Sequence, residues 1–446
     1  VKRFSGTTKA EATSGIRIGI AVLVFALGGI AACATNPVTG TPQLSLMSEQ
    51  QELETGKNLY PIYTQLSYGL FRDEALQDYV NSIGQRLAAV SHRPNLPYAF
   101  NVVNSSDLNA YALPGGKISI TRGMVARMEN EAQLAGVLGH EIAHVAALHH
   151  LATYTRQVFS GLLSAVGMAA LQTAAVPAAD LIGQVGLLGV NLTLAKYSRD
   201  QERQADKLGM DYMARAGYNP AGFVQAMALL MDEMDRQPSL LESYFASHPL
   251  TSERVADANQ RLSLYGPKLR TPEALREASF REATAYLRQV QPAYALMDQG
   301  KTAMKNGDSR QALQLFQEAT VRAPREALIW VYRAVAEGEA GLEEQALQSA
   351  ERAISLYPDL FHGRYVAGVL AFEGKDYTRS LTHLKAAERL IPGQPQVTFY
   401  QGRNFEAMGR REDAARAYYA VLQKVRKGPM AQYCYQRLVQ WGYLRG

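Results

Sequence analysis

The chain has 446 residues, 47% hydrophobic and 20% charged, which excludes a disordered polymer and exceeds the usual size of one compact domain. Lys2, Arg3, Lys9 and Arg17, against Glu11, account for most of the formal charge of +5. The remainder is nearly balanced and gives no reason to expect nucleic acid as a partner.

The basic stretch from Val1 to Arg17 precedes a charge-free run from Ile18 to Ala32. That run is short for a membrane span, which needs roughly twenty residues, but suits a signal-peptide core. It closes on Ile30-Ala31-Ala32-Cys33, small residues before a cysteine, which resembles a bacterial lipobox. The resemblance implies cleavage before Cys33, lipidation of its thiol and, with alanine at position 34, sorting to the outer membrane. Cys434 is then left without a partner for an internal disulfide, so the fold must rely on its core.

Asn36-Pro37 and Thr39-Gly40-Thr41-Pro42 are turn chemistry, a tether leading into a helix that begins near Ser48 with the cap spacing Ser48/Gln51. Helical periodicity continues through Asp73 to Ser91. The period then changes: residues 98–104, 110–113 and 117–122 alternate or are rich in β-formers, with Pro114-Gly115-Gly116 as a tight turn. A small sheet is expected there. The next helix starts at the N-cap Asn130, with Gln133 three residues on and Glu129 and Glu131 at its positive end, and is expected to continue through His150. Residues 157–195 carry one charge, Asp180; two helices covering the site are expected, with membrane contact as the alternative. A polar helix follows from Ser198, ended by Gly217 and Pro220.

The C-terminal third repeats. Pro324, Pro358 and Pro392 are evenly spaced at the 34-residue period of tetratricopeptide repeats. Gly300, Ala312, Phe316 and Ala319 belong to one unit, Trp330, Ala346 and Ala353 to the next, Gly368 and Ala387 to a third, and Gly402, Ala414 and Tyr418 to a fourth. Residues 429–446 are expected to cap the stack.

His140-Glu141-Ile142-Ala143-His144 is H-E-x-x-H. Side chains four apart on a helix lie nearly above one another, so both imidazoles can reach one metal ion, with Glu141 placed to take a proton from the attacking water. Continued helical rotation carries His149 and His150 away from that face, so both are expected to interact with the helix's negative end. A third ligand is needed. Glu202 and Asp206 share a face of the polar helix: one could bind metal while the other orients a ligand histidine. Solvated acids paired with Arg199 and Arg203 are the alternative, and spacing alone does not decide.

Four segments, "NAYALPGG", "GHEIAHVAALHH", "SRDQERQAD" and "SHPLTSER", stand in the order found in zinc metallopeptidases of the HtpX and CAAX-prenyl-protease type. With the lipobox, "NPVTG" and the repeats, the chain resembles the periplasmic β-barrel-assembly-enhancing protease group within that family. The resemblance implies Zn2+ on His140, His144 and Glu202, Glu141 as general base, and Asp206 as the supporting acid. It implies that Asn109, Ala110, Tyr111, Ala112, Leu113, Pro114, Gly115 and Gly116 border a cleft where substrate adds as an extended strand. It also implies that Arg254 stabilises the oxyanion and that His248 can bind zinc in place of the catalytic water, keeping the enzyme latent.

The expected fold is mainly α: a gluzincin-type metallopeptidase domain with a small β-sheet, then an α-solenoid of tetratricopeptide repeats. The expected boundaries are 1–33 signal peptide and lipobox, 34–265 peptidase, 266–289 helical linker and 290–446 repeats. The expected function is a zinc endopeptidase of the bacterial envelope, in the periplasm and lipid-anchored to the outer membrane. Its partners would be misfolded or stalled outer-membrane proteins and, through the repeats, the β-barrel assembly machinery. The alternative is a chaperone-like adaptor with a largely latent metal site.

Overall fold

The computed structural model describes residues 32–153 and 196–445. The signal-peptide core and the expected helices of 157–195 lie outside the described residues. Among the described residues, no helix is long and apolar enough to cross a membrane.

The turn chemistry of Asn36 to Pro42 closes an antiparallel hairpin of β1 (Ala32–Thr35) and β2 (Pro42–Ser45), in which Cys33 pairs with Leu44. Asn36 Oδ1 accepts the Val38 and Thr39 backbone N–H groups at 2.9 and 3.2 Å, an Asx turn. Helix α1 (Glu49–Leu66) opens on a complete capping box between Ser48 and Gln51, and α2 (Glu74–Ala88) on Asp73. Strands β3 (Ala99–Val103), β4 (Ala110–Leu113) and β5 (Lys117–Thr121) fall where the change of period places them. The sheet order is β3-β5-β4, with β3 parallel and β4 antiparallel to β5, so β4 is an edge strand. Gly115 and Gly116 adopt φ of +70° and +73° in the turn, a region glycine enters without strain.

After α3 (Arg122–Arg127) comes the histidine helix α4 (Glu131–Ala146), capped by Asn130 Oδ1 accepting from Gln133 N at 2.9 Å. It does not run on through His150. Ala147 is its C-cap, Leu148 is left-handed at φ 56°, and the chain turns helical again over residues 149–153. The stop is tertiary. Asn36 Nδ2 donates to the Ala147 carbonyl at 3.0 Å, a group that another helical turn would have used, while Gln43 Nε2 adds a longer contact of 3.4 Å to the Leu148 carbonyl, which also accepts from Ala152 N.

Helix α5 (Arg199–Arg215) begins on a Ser198/Gln201 capping box and crosses α4 at Gly139 and Gly209; α6 (Ala221–Arg236) packs on α4 through Phe223 against Gly136. Helices α7 (Glu242–Ser247) and α8 (Ser252–Arg261, capped by Thr251) follow.

Two 3-10 turns, Pro267–Leu269 and Pro272–Leu275, and α9 (Glu277–Ala283) lead to α10 (Ala285–Lys305), which runs unbroken across the expected 289/290 boundary. The repeats are the pairs α10 with α11 (Ser309–Arg322), α12 (Ala327–Glu339) with α13 (Glu343–Leu356), α14 (Phe361–Glu373) with α15 (Tyr377–Leu390), and α16 (Pro395–Ala407) with α17 (Arg411–Lys424). Helix α18 (Pro429–Gln440) caps the stack. Gly300 lies against Phe316, Gly368 against Leu384 and Gly402 against Tyr418, each leaving no room for a Cβ. The first repeats share a core with the peptidase domain, from Phe71 through Tyr294 to Ile329. Gln65 spans the junction further along, donating to the Asp359 carbonyl at 2.8 Å and accepting from Phe361 N at 2.9 Å.

Candidate metal centre

The site forms where α4 and α5 touch backbone to backbone. A Cβ on Gly139 would stand 3.1 Å from the Gly209 carbonyl oxygen, and one on Gly209 only 2.9 Å from His140 N. Only glycines permit this approach, and it brings His140 and His144 on one helix against Glu202 and Asp206 on the other.

His140 Nε2 lies 3.1 Å from His144 Nε2 and 3.6 Å from Glu202 Oε2; His144 Nε2 lies 3.3 Å from Glu202 Oε1. His248, at the C-cap of α7, joins them: its Nδ1 is 3.1 Å from Glu202 Oε1 and 3.3 Å from His140 Nε2. One ligand atom from each of the four residues falls within 4.8 Å of all the others, and all four are buried. Ligands held tetrahedrally at zinc–nitrogen bond lengths stand roughly 3.3 Å apart, so this donor set of imidazoles and one carboxylate fits a zinc ion.

Glu141 is fully buried, and neither carboxylate oxygen has a hydrogen-bond partner. Burial pushes its pKa up, partly offset by His248 and His140; the Ala112 backbone also favours the charged form, without reaching hydrogen-bond geometry. An unsatisfied buried carboxylate beside a metal-type cluster is placed for proton transfer. Its Oε1 is 3.7 Å from His248 Nε2.

Two acids support the cluster, and neither is solvated. Arg203 pairs instead with Asp200 and Glu253. Asp206 Oδ1 is 3.0 Å from His140 Nδ1, off the line of a strong hydrogen bond. Burial raises the Asp206 and Glu202 pKa values, but the neighbouring histidines, with Arg254 beside Asp206, outweigh it and hold both carboxyls low. Arg254 is committed to these acids. Its Nε and Nη2 donate to Asp206 at 2.7 Å each, its Nη1 donates to the Pro249 carbonyl at 2.7 Å, and Nη1 also lies 2.6 Å from Glu202 Oε2. Four of its five N–H groups face these acceptors, which leaves one N–H on Nη2 uncommitted in this arrangement.

The helix break corrects the placement of His149 and His150. His149 does not bond the end of α4; the turn at Leu148 swings its Nδ1 to 3.0 Å from His144 Nδ1. His150 meets Glu52 Oε1 at 3.2 Å instead of the helix terminus. Sequence reasoning also missed Tyr197, whose ring stacks on His144 at 3.9 Å, and Tyr244, stacked on His248 at 4.9 Å. Tyr244 stands one helical turn before His248, and Tyr197 directly precedes the Ser198 cap; those positions are the available signals.

The segment 109–116 borders the site. Strand β4 lies beside α4 near Glu141, and the turn after it is held by Gly115 N donating to Glu52 Oε1 at 3.1 Å. Tyr111 points elsewhere, with its hydroxyl 3.1 Å from Ser67 Oγ.

A helix-borne H-E-x-x-H, a second helix bringing an acid and a supporting acid, and stacked helix pairs define a metallopeptidase-type domain joined to a repeat scaffold. Residues 74–262 match Peptidase family M48, and residues 297–361 and 337–395 match the tetratricopeptide repeat. The chain carries a Peptidase family M48 domain followed by tetratricopeptide repeats. It is 30% identical over 239 residues to the beta-barrel assembly-enhancing protease of Escherichia coli (strain K12), covering 52% of this chain and 48% of that one. It is 28% identical over 234 residues to the metalloprotease LoiP of the same organism, covering 51% and 83%. The chain thus spans about half the length of the beta-barrel assembly-enhancing proteases it matches. A solved thermophilic TPR protein of Thermus thermophilus is 19% identical, covering 34% of this chain and 83% of that chain, at a TM-score of 0.31.

Proposed function

We propose that this chain is a zinc-dependent endopeptidase of the bacterial envelope, tethered through Cys33 to the outer membrane and acting in the periplasm on misfolded or stalled outer-membrane proteins. The observation that carries the reading is the buried cluster of His140, His144 and Glu202 with the unpartnered Glu141 beside it. The M48 match and the β-barrel assembly-enhancing relatives support the substrate class.

Zinc held by His140, His144 and Glu202 would polarise the scissile carbonyl and acidify the attacking water. Substrate lies along the open edge of β4, from Asn109 to Gly116, as an added strand. Glu141 takes the proton from the water and returns it to the leaving amine. Asp206 holds His140 in orientation. His248 closes the site: its ring fills the space between Glu202, His140 and Glu141, so activity requires the segment carrying it to withdraw. Arg254 serves the oxyanion through its uncommitted Nη2 N–H, and through Nη1 once that withdrawal frees it from Glu202 and the Pro249 carbonyl.

One specific observation favours the adaptor as a second reading: His248 Nδ1 stands 3.1 Å from Glu202 and 3.3 Å from His140, where a ring that stayed in place would keep the cluster shut and leave the repeats to act by binding. Glu141→Gln separates the two in cells with an outer-membrane assembly defect. Loss of rescue supports the peptidase; full rescue by this variant supports the adaptor.

A further inference from the structure

His149 is not among the clustered ligand residues, yet its Nδ1 lies 3.0 Å from His144 Nδ1. Its other nitrogen, Nε2, lies 2.9 Å from Gln204 Oε1. Gln204 stands two residues beyond Glu202 on α5, so the helix that brings the acid also brings this contact.

The donors and acceptors in this chain can be counted. An amide carbonyl oxygen only accepts, so the His149 proton sits on Nε2. A neutral imidazole carries one N–H, which makes His149 Nδ1 an acceptor. It faces His144 Nδ1, which must therefore donate. The His144 lone pair is then left on Nε2, the nitrogen 3.1 Å from His140 Nε2 and 3.3 Å from Glu202 Oε1. The opposite tautomer of His149 would face Gln204 Oε1 with a bare lone pair. It would also aim an N–H at His144 Nδ1, forcing the His144 proton onto Nε2 and removing the lone pair from the cluster.

We propose that Gln204 and His149 form a tautomer-setting relay that holds His144 with its Nε2 lone pair directed into the metal site. The inference rests on reading the cluster as a metal centre. Metal-binding histidines commonly donate their second N–H to a carboxylate, carbonyl or water. Asp206 stands nearest that place for His140, 3.0 Å from its Nδ1, and a neutral ring fills it for His144. The choice has an electrostatic reason: the buried site already holds Glu141, Glu202 and Asp206, and a neutral acceptor orients His144 without a further buried negative charge. His149 and Gln204 are positioning residues acting through His144.

The test measures zinc affinity of the purified, metal-stripped full chain by competition with a chromogenic chelator. It adds the visible spectrum of the cobalt(II)-loaded protein and the melting temperature of the metal-free form. His149→Leu removes the acceptor and should weaken zinc binding roughly 10- to 100-fold and shift the cobalt bands. His149→Asn, whose Oδ1 stands where Nδ1 stood, should restore both. Gln204→Leu should weaken binding less than His149→Leu, and Gln204→Glu, which keeps an acceptor, should not weaken it. Zinc binding by His149→Leu equal to wild type overturns the relay, as do equal losses in His149→Leu and His149→Asn. If His149→Leu does not fold, Gln204→Leu against Gln204→Glu decides: equal affinities overturn the relay. If the wild-type chain takes up no zinc, the metal-centre reading itself fails and the relay with it.

Discussion

Gly209 stands against His140 with no space for a methyl group between them: a Cβ there would lie 2.9 Å from the His140 nitrogen. This contact sets the distance between the helix bearing the two histidines and the helix bearing Glu202. Gly209→Ala must push backbone against backbone, so it should cost about 1–3 kcal/mol and weaken zinc binding as the ligands separate. Gly266, whose added Cβ would meet nothing within 4 Å, serves as the control. Denaturant titration and zinc competition on both variants check the claim; equal behaviour of the two contradicts it.

Latency by His248 has its own signature. If the closed form outweighs the open form by about ten to one, removing the closing ring raises turnover of an unfolded protein about tenfold. His248→Ala should therefore cleave casein faster than wild type. A rate equal to or below wild type removes the latency proposal and leaves His248 as a stabilising ligand.

Acid stability depends on Glu52. Its carboxylate is 1% exposed and accepts from Arg93 at 3.0 and 2.9 Å and from Gly115 N at 3.1 Å, with His150 at 3.2 Å. Burial pushes its pKa up, but His150 and Arg93 outweigh burial and bring it down from 4.5 to about 2. A carboxyl whose folded pKa is depressed stabilises the fold above its unfolded pKa and loses that contribution as pH falls through the folded value. The wild type should therefore lose up to about 3 kcal/mol between pH 4.5 and 2. Glu52→Gln should be less stable at neutral pH and flatter over that window; parallel curves for the two proteins contradict the assignment.

Arg122 bolts the first repeat to the peptidase domain. It is fully buried, donating to Asn104 Oδ1 at 2.9 Å, Gln291 Oε1 at 3.0 Å and Ser106 Oγ at 2.5 Å, with its guanidinium 3.5 Å from the centre of the Tyr294 ring. Arg122→Ala leaves these acceptors unmet and opens a cavity, at a cost of about 3 kcal/mol. Because the core is continuous across the junction, the wild type should unfold in one transition and the variant in two. A single unshifted transition in the variant contradicts this.

Much of the architecture was legible from local chemistry. Ser48 and Gln51, Asn130, and Ser198 mark helix starts because capping is a contact within a few residues. The strands around Pro114-Gly115-Gly116 and the evenly spaced Pro324, Pro358 and Pro392 are equally local signals. The end of α4 is different. Ala146-Ala147-Leu148 contains no glycine or proline, and the Ala147 carbonyl at the end of the helix is met by Asn36, about a hundred residues away in sequence. Helical rotation therefore misplaced His149, which folds back onto His144. Arg254 carries a similar lesson: its position was marked by motif, but its commitment to both Asp206 and Glu202 depends on how α8 meets α5.

Zinc content and proteolysis, measured together on the purified full chain and on Glu141→Gln, decide whether the cluster is a catalytic zinc site. One zinc per chain is expected in both proteins, with cleavage of unfolded casein once His248 is replaced and none when Glu141→Gln is added to that replacement. A chain that binds no zinc, or equal cleavage with and without Glu141, would contradict it.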